Sequence, residues 1–316
     1  VGYFYALLAA ALFGLNGSLT FVVIDAGLTP AQLTLFRVAA AAVIAGVFLL
    51  VRNRAAFRVT LRQLAVLAVL GVFGVALLQF TYAVAITLLP VGIALLLEYI
   101  AVLLVALVAF FVFRENVKRR LWVAIGCVLV GLALVAQVWA SELNPLGVLF
   151  AFLAATMLTI YFVIGEREVG KTSPIAVAFW TMSFATVFWL FFSGWWDIDP
   201  SIFAETVSLN GNLDAVSVPF WGALLWNMVM GSFAPFFFSL LALKYLSATA
   251  AGVVAASEVL FAFLVAWLWL GQGLGPLQAV GAAIVLVGIV LAQTARVNKV
   301  VDADLALSDS PQQPLV

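Results

Sequence analysis

Ten apolar stretches follow one another along the chain, with no polar segment between them long enough to form a soluble domain. They lie near residues 3–24, 31–51, 61–82, 90–113, 118–139, 144–165, 174–194, 219–243, 247–270 and 275–295. Each is close to the ~20 apolar residues that a helix needs to cross roughly 30 Å of hydrocarbon. Of 316 residues, 66% are hydrophobic and 9% charged, whereas a soluble domain is roughly half apolar and a quarter charged. The expected fold is therefore an all-α membrane protein of ten transmembrane helices. The chain runs from Val1 directly into the first span, without the basic region and cleavage site of a signal peptide.

Charge placement orients the spans. Arg52, Arg54, Arg58 and Arg62 follow span two; Arg114, Lys118, Arg119 and Arg120 follow span four; Arg167 and Lys171 follow span six; Lys244 follows span eight; Arg296 and Lys299 follow span ten. The alternate connections, including the long one from Trp195 to Val218 with Asp197, Asp199, Glu205 and Asp214, contain no lysine or arginine. By the positive-inside rule both termini are expected to be cytoplasmic. Net charge is zero, so no global field points to nucleic acid. The chain has no histidine and a single cysteine, Cys127, which excludes an intrachain disulfide and a cysteine-built metal site. No cofactor or metal is expected, and any proton chemistry falls to carboxylates. The tail, residues 298–316, is too polar from Asp302 onward to fold and is expected to be disordered.

The halves repeat. Ala94 to Phe113 and Val254 to Gly273 are apolar helices with one acid at the same place, Glu98 and Glu258. Leu129 to Leu134 reads LVGLAL and Leu286 to Leu291 reads LVGIVL, while Thr29-Pro30 and Ser173-Pro174 open spans two and seven. With five spans per half, the second half sits upside down relative to the first. Inverted repeats of this kind characterise secondary transporters, whose site lies near the midplane where the repeats meet.

Five segments carry a family resemblance: FGLNG at Phe13 to Gly17, the run from Pro30 through Arg37, LLLEYIAVLLVAL at Leu95 to Leu107, Arg114-Glu115, and SEVLFAFLVAWLWLG at Ser257 to Gly271. In their order and spacing the chain resembles the drug/metabolite transporter superfamily, specifically its bacterial EamA-type members. The resemblance implies two five-helix repeats, 1–139 and 140–297, in the cell inner membrane. It also implies export of a small metabolite, amino acids being prominent among the family's substrates. The chain departs from the pattern at Val102, where many relatives carry proline, and at Gln272, where relatives often end the ninth helix with glutamate.

A charge at the bilayer centre costs about 2.5 to 3.5 kcal/mol on insertion scales, so intramembrane charges are candidates for function. Three qualify. At 1.5 Å per residue, Glu98 lies roughly 12 Å and Glu258 roughly 16 Å along their helices, both near the midplane. Two carboxylates facing one cavity can trade a proton for a cationic substrate, or each can serve as a hydrogen-bonded structural acid. Arg37 can receive a substrate carboxylate, pair with an internal acid or a backbone carbonyl, or snorkel to the interface. Neutral candidates are Asn16, Gln79, Tyr82, Tyr99, Tyr161, Trp226 and Asn227, which either bind substrate or join helices. Trp195, Trp196 and Trp221 read as an interfacial belt.

Two motif matches carry less than they suggest. Gly165 to Thr172, GEREVGKT, satisfies the phosphate-loop pattern, but a membrane helix precedes it and Pro174 opens another, where a phosphate loop needs a buried strand ahead. Gly288 and Ala292, four apart, fit either a dimerisation face or packing within the bundle, so monomer and homodimer both stand.

The leading expectation is proton antiport of an amino acid or related amine through Glu98 and Glu258. The alternative is facilitated diffusion or exchange of an uncharged or anionic metabolite, with Arg37 carrying recognition. A membrane enzyme would want a boundary cluster of acids or histidines, and a channel a ring of charges or a backbone filter; the sequence has neither.

Overall fold

The computed structural model describes residues 1–52, 54–89, 91–112, 119–136, 144–209, 211–270 and 275–294. Fourteen helices run in chain order: α1 (Gly2–Asp25), α2 (Pro30–Arg52), α3 (Leu61–Gly71), α4 (Leu78–Leu88), α5 (Val91–Glu98), α6 (Ile100–Phe111), α7 (Arg119–Ala136), α8 (Pro145–Val169), α9 (Pro174–Phe192), α10 (Phe220–Met228), α11 (Ala234–Tyr245), α12 (Ala248–Ala255), α13 (Glu258–Leu270) and α14 (Pro276–Thr294). A π turn, Val72–Leu77, joins α3 to α4, and a second, Val229–Phe233, joins α10 to α11. Among the described residues, seven segments are long and apolar enough to cross a membrane: Gly2–Asp25, Pro30–Arg52, Leu61–Leu88, Pro145–Val169, Pro174–Phe192, Phe220–Tyr245 and Ala248–Trp269. The other three expected spans fall on α5 with α6, on α7 and on α14. Arg114, Glu115, Lys118, Gln272, Arg296, Lys299 and the 298–316 tail lie outside the described residues.

Helix starts are written locally. The Thr29 hydroxyl accepts from Gln32 N–H while Thr29 N–H donates to Gln32 Oε1, a capping box ahead of Pro30. Asn144, Ser173 and Ser247 likewise accept from the first-turn N–H groups of α8, α9 and α12, and Pro145 and Pro174 sit where the missing N–H costs nothing. Two spans expected as single helices are interrupted beside their acids. Tyr99 separates α5 from α6, with Val102 N–H donating to Tyr99 O at 3.0 Å; Ala256 and Ser257 separate α12 from α13, with Ser257 N–H donating to Val254 O at 3.0 Å. These are tight three-residue turns rather than proline kinks, so the break at Tyr99 forms with Val102 in place of a proline.

The two halves pack in matching pairs. α2 lies along α9 and α7 along α14, while α1 packs on α11, α12 and α13 much as α8 packs on α4, α5 and α6. The π turns begin 157 positions apart, at Val72 and Val229, the offset already seen between LVGLAL and LVGIVL. The shared glycines of those motifs face one another's helices. A Cβ on Gly131 would stand 2.7 Å from Gly281 O, and one on Gly288 2.9 Å from Ala124 O. The close contact Gly288 permits is thus made within the chain, onto α7; the Ala292 side chain lies outside the described residues.

The described residues of the long connection after α9 form short turns and a hairpin. Gly194, at φ +65, ends the helix, and short 3-10 turns lead to a hairpin of β1 (Thr206–Ser208) and β2 (Ser217–Pro219). Ser201 N–H donates to Asp199 Oδ1 at 2.9 Å, and this bond holds the Asp199 carboxyl below its usual range. Ile198, Ile202, Phe203 and Val207 pack onto Leu19, Val23, Leu33 and Phe220, covering one end of α1, α2 and α10. Trp269 Nε1 at the end of α13 donates to Leu209 O at 2.8 Å. Trp195, Trp196 and Trp221 stay exposed.

Candidate functional site

A cavity lies where the halves meet. It is walled by α1, α2, α4, α5, α8, α11, α12 and α13, and it leaves about 80 Å³ for the centre of a water-sized molecule, several times what a single buried water needs. Asn16, Arg37, Gln79, Tyr82, Glu98, Tyr99, Tyr161 and Glu258 all line it. Asn227 is fully buried behind it and reaches it through Thr20. Trp226 is not part of it, being 53% exposed on the outer surface of α10.

The helix breaks present the acids. Glu98 is the last residue of α5 and Glu258 the first of α13. The Tyr99 hydroxyl donates to Glu258 Oε2 at 2.6 Å, a bond between the two halves. Gly14 lets α1 approach this point, since a Cβ there would stand 2.8 Å from Glu258 O and from Ala262 N. Among the described residues neither glutamate forms an ion pair with Arg37. Arg37 instead donates through Nη2 to Gly231 O at 2.6 Å, a carbonyl of the second π turn.

A polar ladder stands on the same side. Asn16 Nδ2 and Asn227 Nδ2 each donate to Thr20 Oγ1 at 3.0 Å. Part of the wall is aromatic: Phe13 and Tyr161 meet Phe236 edge-on, at 5.1 and 5.5 Å between ring centroids, and Tyr161 OH donates to Phe236 O at 3.3 Å. Several lining atoms are buried without a hydrogen-bond partner among the described residues: Asn16 Oδ1, Arg37 Nε, both amide atoms of Gln79, and Glu98 Oε2. Buried polar groups are normally paired, so this set of donors and acceptors can receive a small polar solute, while the rings receive an apolar body.

Gly231 holds the site together from both sides. Its carbonyl takes Arg37, and a Cβ on it would collide with the Asn16 side chain. Gly231→Ala is therefore expected to expel the Asn16 amide from its bond to Thr20 and to lower stability by about 1–3 kcal/mol. Thermal unfolding in detergent measures this, with Gly222→Ala, where a Cβ meets nothing within 4 Å, expected to stay near the native value.

Sequence reasoning missed Thr20, Phe13, Phe162, Phe236 and Ser239. A signal existed for two of them: Phe236 and Ser239 stand 157 positions after Gln79 and Tyr82, so the repeat carries each cavity position into the other half. The phosphate-loop letters fall on the last turn of α8 and the turn after it, where Glu166 Oε2 accepts from Ala248 N–H at the start of α12.

The model of the EamA-like transporter family matches residues 1–137 and again residues 145–294. No curated protein matches the chain. Among the solved structures that do, one described only as the crystal structure of a protein is 18% identical, covering 93% of this chain and 96% of its own, with a TM-score of 0.71. At that identity the likeness concerns the fold.

Proposed function

The chain belongs to the EamA-like transporter family, membrane carriers of small solutes, and we propose that it exports a small metabolite, an amino acid or a related amine, by alternating access with proton antiport. The reading places ten helices in two inverted repeats, 1–139 and 140–297, in a bacterial inner membrane with both termini cytoplasmic. One observation carries it above the others: Glu98 and Glu258, matched between the halves, line a single cavity, each at a break in its helix. Two carboxylates at one cavity can between them carry a proton and pair with an ammonium group. The breaks give each half a hinge beside its acid, as the discontinuous helices of secondary transporters do.

A second reading is facilitated diffusion or exchange of an uncharged or anionic metabolite, recognised by Arg37, whose Nε has no partner. Against it, the Nη2 of the same guanidinium is already committed to Gly231 O. Uptake of a panel of labelled amino acids and amines into proteoliposomes separates the two. Accumulation driven by an imposed proton gradient and collapsed by a protonophore is the expected result. Uptake that ignores the gradient and is lost in Arg37→Gln would establish the second reading instead.

A further inference from the structure

Glu98 and Glu258 occupy matching positions 160 residues apart, yet their surroundings are unlike. Glu258 receives the Tyr99 hydroxyl at 2.6 Å, the length of a charge-assisted O–H···O⁻ bond. It also opens α13, a helix of 13 residues, whose N-terminal dipole favours an anion in the first turn. The reciprocal bond cannot form. The position matching Tyr99 in the second half is Val259, fully buried and without a hydroxyl, and Glu98 Oε2 is left unpartnered. Glu98 instead closes α5, with Tyr99 between it and α6, so it sits at the carbonyl end of its half-helix, which disfavours an anion. Of the other titratable groups lining the cavity, the Arg37 charge from α2 bears on Glu258 and Tyr82 from α4 lies near both acids, while Tyr161 from α8 donates elsewhere, to Phe236 O.

We propose that Tyr99 divides the labour between the two glutamates, holding Glu258 as the carboxylate that pairs with the cationic group of the substrate and leaving Glu98 to carry the proton. Tyr99 is a positioning residue in this scheme, and the assignment rests on the proton-antiport reading above. In each cycle Glu98 takes one proton from one side of the membrane, becoming a neutral acid, and releases it to the other side. Glu258 remains a carboxylate throughout and exchanges partners, the substrate ammonium replacing solvent.

The test needs no substrate. Infrared carboxyl spectra of the reconstituted full-length protein, recorded across pH and differenced against Glu98→Gln and Glu258→Gln, give each acid a titration midpoint. The Glu98 midpoint is expected at higher pH than that of Glu258. Tyr99→Phe is expected to move the Glu258 midpoint upward by about one to two pH units, the equivalent of one hydrogen bond to a charged group, and to move Glu98 less. Equal or reversed midpoints, or a Glu258 midpoint indifferent to Tyr99→Phe, overturn the assignment. Should Tyr99→Phe not fold, the order of the two midpoints decides alone. Gradient-independent uptake would instead sink the antiport reading, whatever the midpoints, so the two failures are distinguishable.

Discussion

Glu258→Gln is expected to cut substrate movement at least about thirtyfold in both modes, gradient-driven accumulation and gradient-free exchange, while Glu98→Gln abolishes only the first. Glutamine keeps the shape of glutamate and can still accept from the Tyr99 hydroxyl, so the contact between α13 and the break after α5 survives. What is lost is the charge. An ammonium group buried in the cavity without its counter-ion costs about 2–5 kcal/mol, which is roughly a thirtyfold to several-thousandfold loss of exchange. Glu98→Gln leaves that counter-ion in place and removes the proton site, so exchange is expected to continue within severalfold of native while accumulation against a gradient disappears. Labelled-substrate counterflow and gradient-driven uptake, measured on the same proteoliposomes, separate the modes. Near-native thermal unfolding of both variants in detergent checks that packing is unchanged. Equal loss of both modes in both variants would show the acids acting as one unit.

The membrane charges were legible because the bilayer makes them costly: any carboxylate near mid-span needs a reason, and Glu98 and Glu258 do line one cavity. Polar neutrals were read less well. Trp226 and Asn227 are neighbours in sequence, yet α10 turns one outward and one into the core. A hydrophobic span hides which face points to lipid, since lipid and core are equally apolar, and the usual amphipathic signal is absent. Arg37 was legible as a buried charge but not its partner, because Gly231 O is a backbone group in a π turn that no side-chain pattern announces.

Helix starts were also readable. Thr29-Pro30 and Ser173-Pro174 open α2 and α9 where expected, because a side-chain cap and a proline act locally. Breaks within spans were not. The turns at Tyr99 and at Ala256–Ser257 carry no proline or other local signal, so single helices were expected over 90–113 and 247–270. The connection after α9 was read only as a long acidic loop. Its apolar residues, Ile198, Ile202, Phe203 and Val207, find their partners on α1, α2 and α10, and such contacts have no local signature.

Gly131→Leu is expected to detach α7 from α14, with a loss of stability of about 3 kcal/mol, near the upper end for overpacking, or on the order of a hundredfold in the folded fraction. The contact is backbone against backbone: a Cβ at Gly131 would meet Gly281 O at 2.7 Å and Val285 N at 2.8 Å, and neither can rotate away. Membrane helices gain no hydrophobic driving force from each other, so close approach at small residues supplies much of what holds them. Gly288→Leu should match it, because its Cβ would meet Ala124 O at 2.9 Å and Val128 N at 3.1 Å from the other side of the same interface. Combined, the two should cost less than their sum, since a pair already separated by one leucine has room for the second. Gly126→Leu, also on α7 but facing outward with nothing within 4 Å, is expected to leave stability within about 0.5 kcal/mol of native. Thermal unfolding of the purified variants in one detergent ranks all four. If Gly131→Leu unfolds together with Gly126→Leu, the glycine pair is dispensable and the repeated LVG motif reflects something other than this contact.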